Sequence, residues 1–137
     1  MPGEGVVLNE PTVVAIDRRT NAVLAVGSQA YTMVGKTPDD IVAYRPMKSG
    51  VIADYRITEA MLSYYISKSL PRYNLLKPDV VVSVPAGVTP TERDAVVEAA
   101  LKAGAKSAYA VKEPILAAIG GGISIQEPSG HMIVDIG

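Results

Sequence analysis

The stretch VVVSVPAGVTPTERDAVVEAALKAGA, residues 80–105, changes its period in the middle. Val80–Val84 is a continuous apolar run followed by two turn residues, Pro85 and Gly87, the pattern of a strand covered on both faces in a parallel sheet. Thr89 then stands where a helix N-cap belongs, with Pro90 at the first helical position and Glu92 three residues on as capping-box partner. Ala95, Val96, Ala99, Ala100 and Ala103 keep one apolar face at helical spacing, and Gly104 supplies the C-terminal cap. A strand near Ala108–Val111 follows, then a small-residue helix from Pro114 to about Gly120, a glycine-rich turn and a final apolar run in HMIVDIG (131–137). The order β-α-β-α-β predicts a parallel sheet with right-handed crossovers.

Upstream the pattern is β-rich. Val6–Leu8, Thr12–Ile16 and Ala22–Val26 read as strands joined by polar turns, among them DRRTN (17–21). Ser28 is placed to cap a short helix through Val34, with Gly35 at its left-handed end. IVAYRPM and GVIADY read as two extended segments around Lys48-Ser49-Gly50. From Thr58 the period becomes helical: Met61, Leu62, Tyr65, Ile66 and Leu70 share a face, and Pro71 ends it.

Composition narrows the function. The 137 residues suffice for one modest domain, and 48% hydrophobic with 20% charged residues is a globular composition. Thirteen basic against 14 acidic residues, with no basic block, argue against a nucleic-acid partner. The absence of cysteine rules out disulfides, thiolate metal sites and a cysteine nucleophile. The start MPGEGVVLNEP lacks the features of a signal peptide, so a reducing cytoplasm is the expected compartment. No apolar run approaches the length of a spanning helix, which leaves membrane contact that is peripheral or made by a partner.

Few residues are placed to do chemistry. Asp135 follows an apolar strand and precedes glycine, where an acid can hold hydrated Mg²⁺ while backbone amides approach an anion; a surface turn acid is the alternative. Glu113 combines a strand end with a Pro-started helix. There a carboxylate can polarise a water for attack on a phosphate, although the residues alone favour an ordinary first-turn acid. His131 is the only histidine and reads as a strand-edge residue rather than a metal ligand. Ser83, Ser107 and Ser129 lack a nucleophile-elbow motif, which argues against a hydrolase triad. GKTPDD lacks the upstream glycine of a Walker loop, so Asp39 and Asp40 belong to a solvated loop, and Gly120–Gly122 to a cap and turn.

VVLNEPTVVAID, AVGSQAYTMVGKTPDDIVAYRPMKSGVIADY, TEAMLSYYI, VVVSVPAGVTPTERDAVVEAALKAGA, EPILAAIGGG and EPSGHMIVDIG resemble, in this order and spacing, the MreB/Mbl family of bacterial actin homologues. The likeness covers essentially the whole chain, and RPMKSGVIADY and VPAGVTPTER are its most specific parts. The resemblance implies an α/β fold: an actin-like ATPase (ribonuclease H-like) lobe, a mixed sheet flanked by helices with a small inserted subdomain, and incomplete. Residues 1–16 and 58–137 would form part of subdomain IA and residues 17–57 the inserted subdomain IB.

By the same resemblance, Glu113 matches the glutamate that positions the attacking water. Asp135 matches the metal-associated acid opening the second phosphate loop, and Gly137 the start of that loop. Thr91 falls where two protofilaments pair antiparallel. The implied parent is a polymerisation-coupled ATPase using ATP and Mg²⁺, a membrane-associated filament subunit that directs cell-wall synthesis and rod shape. Its implied partners are further copies of itself and the wall-elongation machinery at the inner face of the membrane, which it reaches through regions absent here. The first phosphate loop is missing and the second is cut after one glycine, so this chain alone is expected to bind no nucleotide and to be inactive. The alternatives are a lobe of a sugar-kinase-like or chaperone-like relative, or a stand-alone interaction module.

Overall fold

The computed structural model describes residues 5–36, 40–48, 51–52, 54–70 and 76–134. Its first half is a three-stranded antiparallel sheet between two helices. Strands β1 (Val14–Asp17), β2 (Val23–Val26) and β3 (Ile41–Tyr44) lie in the order β2-β1-β3, with Val14 opposite Val26 and Tyr44. The β1–β2 turn is closed by Asp17, whose carboxylate accepts from the Arg19 and Thr20 amides at 2.8 and 3.0 Å. Those amides, Thr20's first, hold its pKa below the ordinary value.

Strand alternation divides β1 between two cores. Val14 and Ile16, with Val26, pack on Ile57 and Met61 of helix α2 (Tyr55–Ser69). Val13 and Ala15, with Ala25, pack on Ala30 of helix α1 (Ser28–Met33). The alanines let α1 approach closely; larger side chains would hold it off. Strand β1 is therefore the one buried on both faces, where the sequence pointed to Val80–Val84.

Helix α2 begins earlier than Thr58. Asp54 is its N-cap, accepting from the Ile57 amide at 3.1 Å, and the buried Thr58 hydroxyl donates to the Asp54 carbonyl at 2.7 Å. A short hairpin, β4 (Met47–Lys48) with β5 (Val51–Ile52), precedes it. Helix α1 also departs from expectation. Its N-cap is Gly27, and it has no side-chain cap hydrogen bond of its own.

The second half keeps the expected β-α-β-α order. Strands β6 (Asp79–Val84) and β7 (Ser107–Lys112) run parallel, in register from Asp79 with Ser107 to Val84 with Lys112. Between them helix α3 (Pro90–Lys102) buries Val96, Ala99 and Ala100 and packs against α2; helix α4 (Glu113–Gly120) follows β7 directly. The Ser107 hydroxyl donates to the Asp79 carboxylate at the strand starts. Lys102 pairs with Glu98 at 2.9 Å and lies 5.1 Å from the centre of the Tyr55 ring, joining α3 to α2.

Three extended segments differ from the sequence reading. Val6–Leu8 forms no strand, and Val6 is 84% exposed. The final run is also not a strand over residues 131–134, with Met132 85% and Val134 72% exposed; its remainder lies outside the described residues. An apolar run becomes a strand only against a neighbour, and among the described residues no third strand joins β6 or β7. For the same reason β6 is covered on one side only: Val84 is buried while Val81 is 57% exposed. Among the described residues the antiparallel and parallel strands fall in three separate sheets rather than in one mixed sheet.

Candidate functional site

The parallel pair ends where chemistry was anticipated. Register places Val84 beside Lys112, so the chain leaves β6 at Pro85 next to the point where β7 becomes α4. Glu113 is the first residue of α4 and sits half-buried at this carboxyl edge, the position at which open α/β sheets take their ligands. Its carboxylate has no hydrogen-bond or ion-pair partner among the described residues. The N-cap, Lys112, makes no side-chain cap bond, and Pro114 has no amide hydrogen. An acid at the positive end of a helix, with no direct partner among the described residues, is available to a water or a ligand.

Beside it an open cavity of ≈ 420 Å³ lies between the start of α3 and the β7–α4 junction. Val84, Val88, Ala110, Val111 and Ile115 supply apolar lining, and Arg93 and Lys112 bring positive charge. The wall formed by α3 is rigid because the capping box is complete. The Thr89 hydroxyl accepts from the Glu92 amide at 3.3 Å, and the Glu92 carboxylate accepts from the Thr89 amide at 2.9 Å and hydroxyl at 2.8 Å. These bonds, the backbone one first, keep the Glu92 pKa below its ordinary value.

The structure places Glu113 at the edge. Asp135 and Gly137 lie outside the described residues. Thr91 is far along neither helix nor core: it occupies the second position of α3 and is exposed, on an outward strip with Asp94, Glu98 and Leu101. His131 shares 2.9 Å with the Ser129 hydroxyl on an exposed segment, and no group of three or more potential metal ligands occurs among the described residues. Sequence reasoning missed Arg93 as a cavity-lining cation. The signal was available, because a residue one turn into a capped helix shares the face of the cap.

A sequence model of the MreB/Mbl protein family matches residues 1–137. The chain belongs to the MreB/Mbl family. It is 53% identical over 135 residues to the cell shape-determining protein Mbl of Bacillus cereus, and 48% identical over 141 residues to the cell shape-determining protein MreB of Escherichia coli K12. Each match takes in 98% of this chain and 40% of the relative, so the chain spans about 40% of the length of these curated relatives. Among solved structures it is similar to MreB5 of Spiroplasma citri bound to ADP, with a TM-score of 0.84 and 40% identity, covering 98% of this chain and 40% of that one. A MamK double helical filament shares the fold at 18% identity and a TM-score of 0.68. The architecture is thus part of an actin-like lobe.

Among the described residues no helix is long and apolar enough to cross a membrane.

Proposed function

We propose that this chain is the water-positioning side of the nucleotide cleft in a cell shape-determining, actin-like ATPase that assembles into filaments at the inner face of the membrane and directs wall synthesis. The single observation behind this reading is Glu113, partnerless among the described residues at the carboxyl edge of β6 and β7, in a chain whose whole length matches the family. The shape-determining role is that of relatives about half identical to it, and MreB5 of Spiroplasma citri has been solved with ADP and with AMPPNP.

ATP with Mg²⁺, when bound by the whole protein, supplies the phosphoanhydride bond that water cleaves. The residues of this chain have separate tasks. The Glu113 carboxylate only accepts hydrogen bonds when ionised, so it fixes a water by its protons and leaves the oxygen lone pair facing outward. Pro114 and the helix behind Glu113 fix the backbone that carries this carboxylate. Arg93 and Lys112 favour an anion on the same side. Asp135 would hold Mg²⁺ through water, and Gly137 would begin the second phosphate loop. Thr91 would take part in an antiparallel protofilament pair through the exposed strip of α3. Residues 1–16 and 58–137 would constitute subdomain IA and 17–57 subdomain IB, with β1 pairing across that division.

In the intact protein, Glu113→Gln is expected to lower ATP turnover by about 100-fold or more, in the range for a lost general base, while filaments still pellet with ATP. Turnover within a few-fold of wild type would refute the role of Glu113, and failure of the wild type to pellet with any nucleotide would refute the filament.

A further inference from the structure

Away from the carboxyl edge, one polar cluster joins three segments distant in sequence. Glu10 lies in the stretch before β1, its side chain only 8% exposed. Its Oε2 accepts from the Ser28 amide at 3.0 Å, at the first residue of α1, and from the Tyr64 hydroxyl at 3.4 Å. Its Oε1 accepts from the Lys68 ammonium at 2.5 Å. Lys68 also donates to the Tyr64 hydroxyl at 2.7 Å, and the Tyr65 hydroxyl donates to the Pro11 carbonyl at 2.8 Å. Because α1 and α2 cover opposite faces of the same sheet, one carboxylate reaches round the sheet's end and grips both layers.

Two features show that α1 depends on this grip. The helix has six residues, too few to stand by propensity, and no side-chain cap of its own. Glu10, 18 residues upstream, supplies the acceptor that a local Ser, Asp or Asn normally gives. Gly27 is shaped to receive it: its φ is +69°, and a Cβ there would collide with Glu10 Oε2.

We infer that Glu10 is a latch, a remote cap whose carboxylate, held by Lys68 and Tyr64, keeps α1 docked on the sheet and whose release frees α1 while α2 and α3 stay folded. The inference is independent of the proposed ATPase. The groups facing Glu10 are Lys68, Tyr64 and Tyr65 from α2 and, from α1, the Ser28 amide. Lys68, then the Ser28 amide, hold the Glu10 pKa below its ordinary 4.5. A lowered carboxyl pKa contributes stability that is complete above the ordinary value and is lost as pH falls through the lowered one. Glu10 in turn raises Lys68 above 10.5, so the alkaline limit lies beyond that value. The latch is closed throughout the neutral range.

Amide hydrogen exchange of the intact protein tests this. At neutral pH, Glu10→Gln is expected to speed exchange at Ser28–Met33 at least tenfold and leave Val96–Ala100 of α3 within twofold. Lys68→Met should act at the same amides, and adding it to Glu10→Gln should change them little further. Unchanged exchange in α1, or equal acceleration in α1 and α3, would overturn the inference, the latter reducing Glu10 to a contributor to global stability. Should Glu10→Gln fail to fold, wild-type protection factors followed into acid decide: α1 must lose protection before α3, and simultaneous loss refutes the latch.

Discussion

Removing the side chain of Met61 tests whether the α2–sheet contact is the main support of the first half. Met61 is 1% exposed and shares a core cluster with Val14, Ile16, Val26 and Ile57. Met61→Ala deletes three heavy atoms beyond Cβ, a change that costs roughly 2–5 kcal/mol depending on how far the site can collapse. Collapse is poor here, because four neighbours are β-branched and three of them are fixed on paired strands. The expected loss is therefore well above the low end of that range, about 3–4 kcal/mol, or a fall in Tm of roughly 10–15 °C. Against a total of about 5–15 kcal/mol this removes much of the margin. Urea unfolding of the 137-residue chain followed by circular dichroism would read it, with Met61→Leu as a control expected to cost under about 1.5 kcal/mol. A Met61→Ala loss below about 1 kcal/mol at unchanged m-value would refute the argument, since it would mean that α2 does not depend on this contact.

Other outcomes follow from the caps. Thr89→Ala should cost about 1 kcal/mol of stability, as N-cap deletions do, and Thr89→Ser should cost little; equal effects would show that the hydroxyl is not the cap. Glu92 has a lowered pKa, so its share of the capping box is complete above the ordinary 4.5 and fades as pH falls through the lowered value. The stability difference between wild type and Glu92→Gln should shrink in acid, and a constant difference would contradict the linkage. Gly27→Ala should disrupt the start of α1 more than Gly35→Ala disrupts its end. Both have positive φ, but only Gly27 has a carboxylate where the new methyl would go; α1 exchange rates distinguish them.

What could be read from the residues was mostly local. The capping box at Thr89-Pro90-Thr91-Glu92 appears in full because all of its partners lie within four residues. The β6-α3-β7-α4 order and the place of Glu113 follow from similarly local turn signals. Features that depend on distant partners were not legible. Nothing near Val13–Ile16 announces that helices 15 residues downstream and 40 residues downstream will cover both faces. Asp54 as a cap was hidden because GVIADY read as extended through Tyr55. Glu10 looked like a turn residue between two strands, since its partners Ser28, Tyr64 and Lys68 carry no common spacing. Over residues 131–134 the final run has strand composition but, among the described residues, no neighbouring strand, and composition alone does not pair.

The site sits on the thinnest part of this fold. Strand β1 is closed in by a strand on each side and a helix on each face, whereas among the described residues β6 and β7 have only each other and helices that leave Val81 and Tyr109, adjacent in register, both exposed. Parallel sheets are found covered on both faces, and a two-stranded sheet has little stability of its own. The edge bearing Glu113 is consequently held less by the sheet than by α3, whose completed cap and buried Val96, Ala99 and Ala100 fasten it to β7 and α2. That division of labour suits the role proposed for Glu113, because a small displacement of a water-orienting carboxylate is costly to catalysis. It also means that covering the Val81–Tyr109 face would tighten the same edge, so burying that face and steadying Glu113 are physically one event.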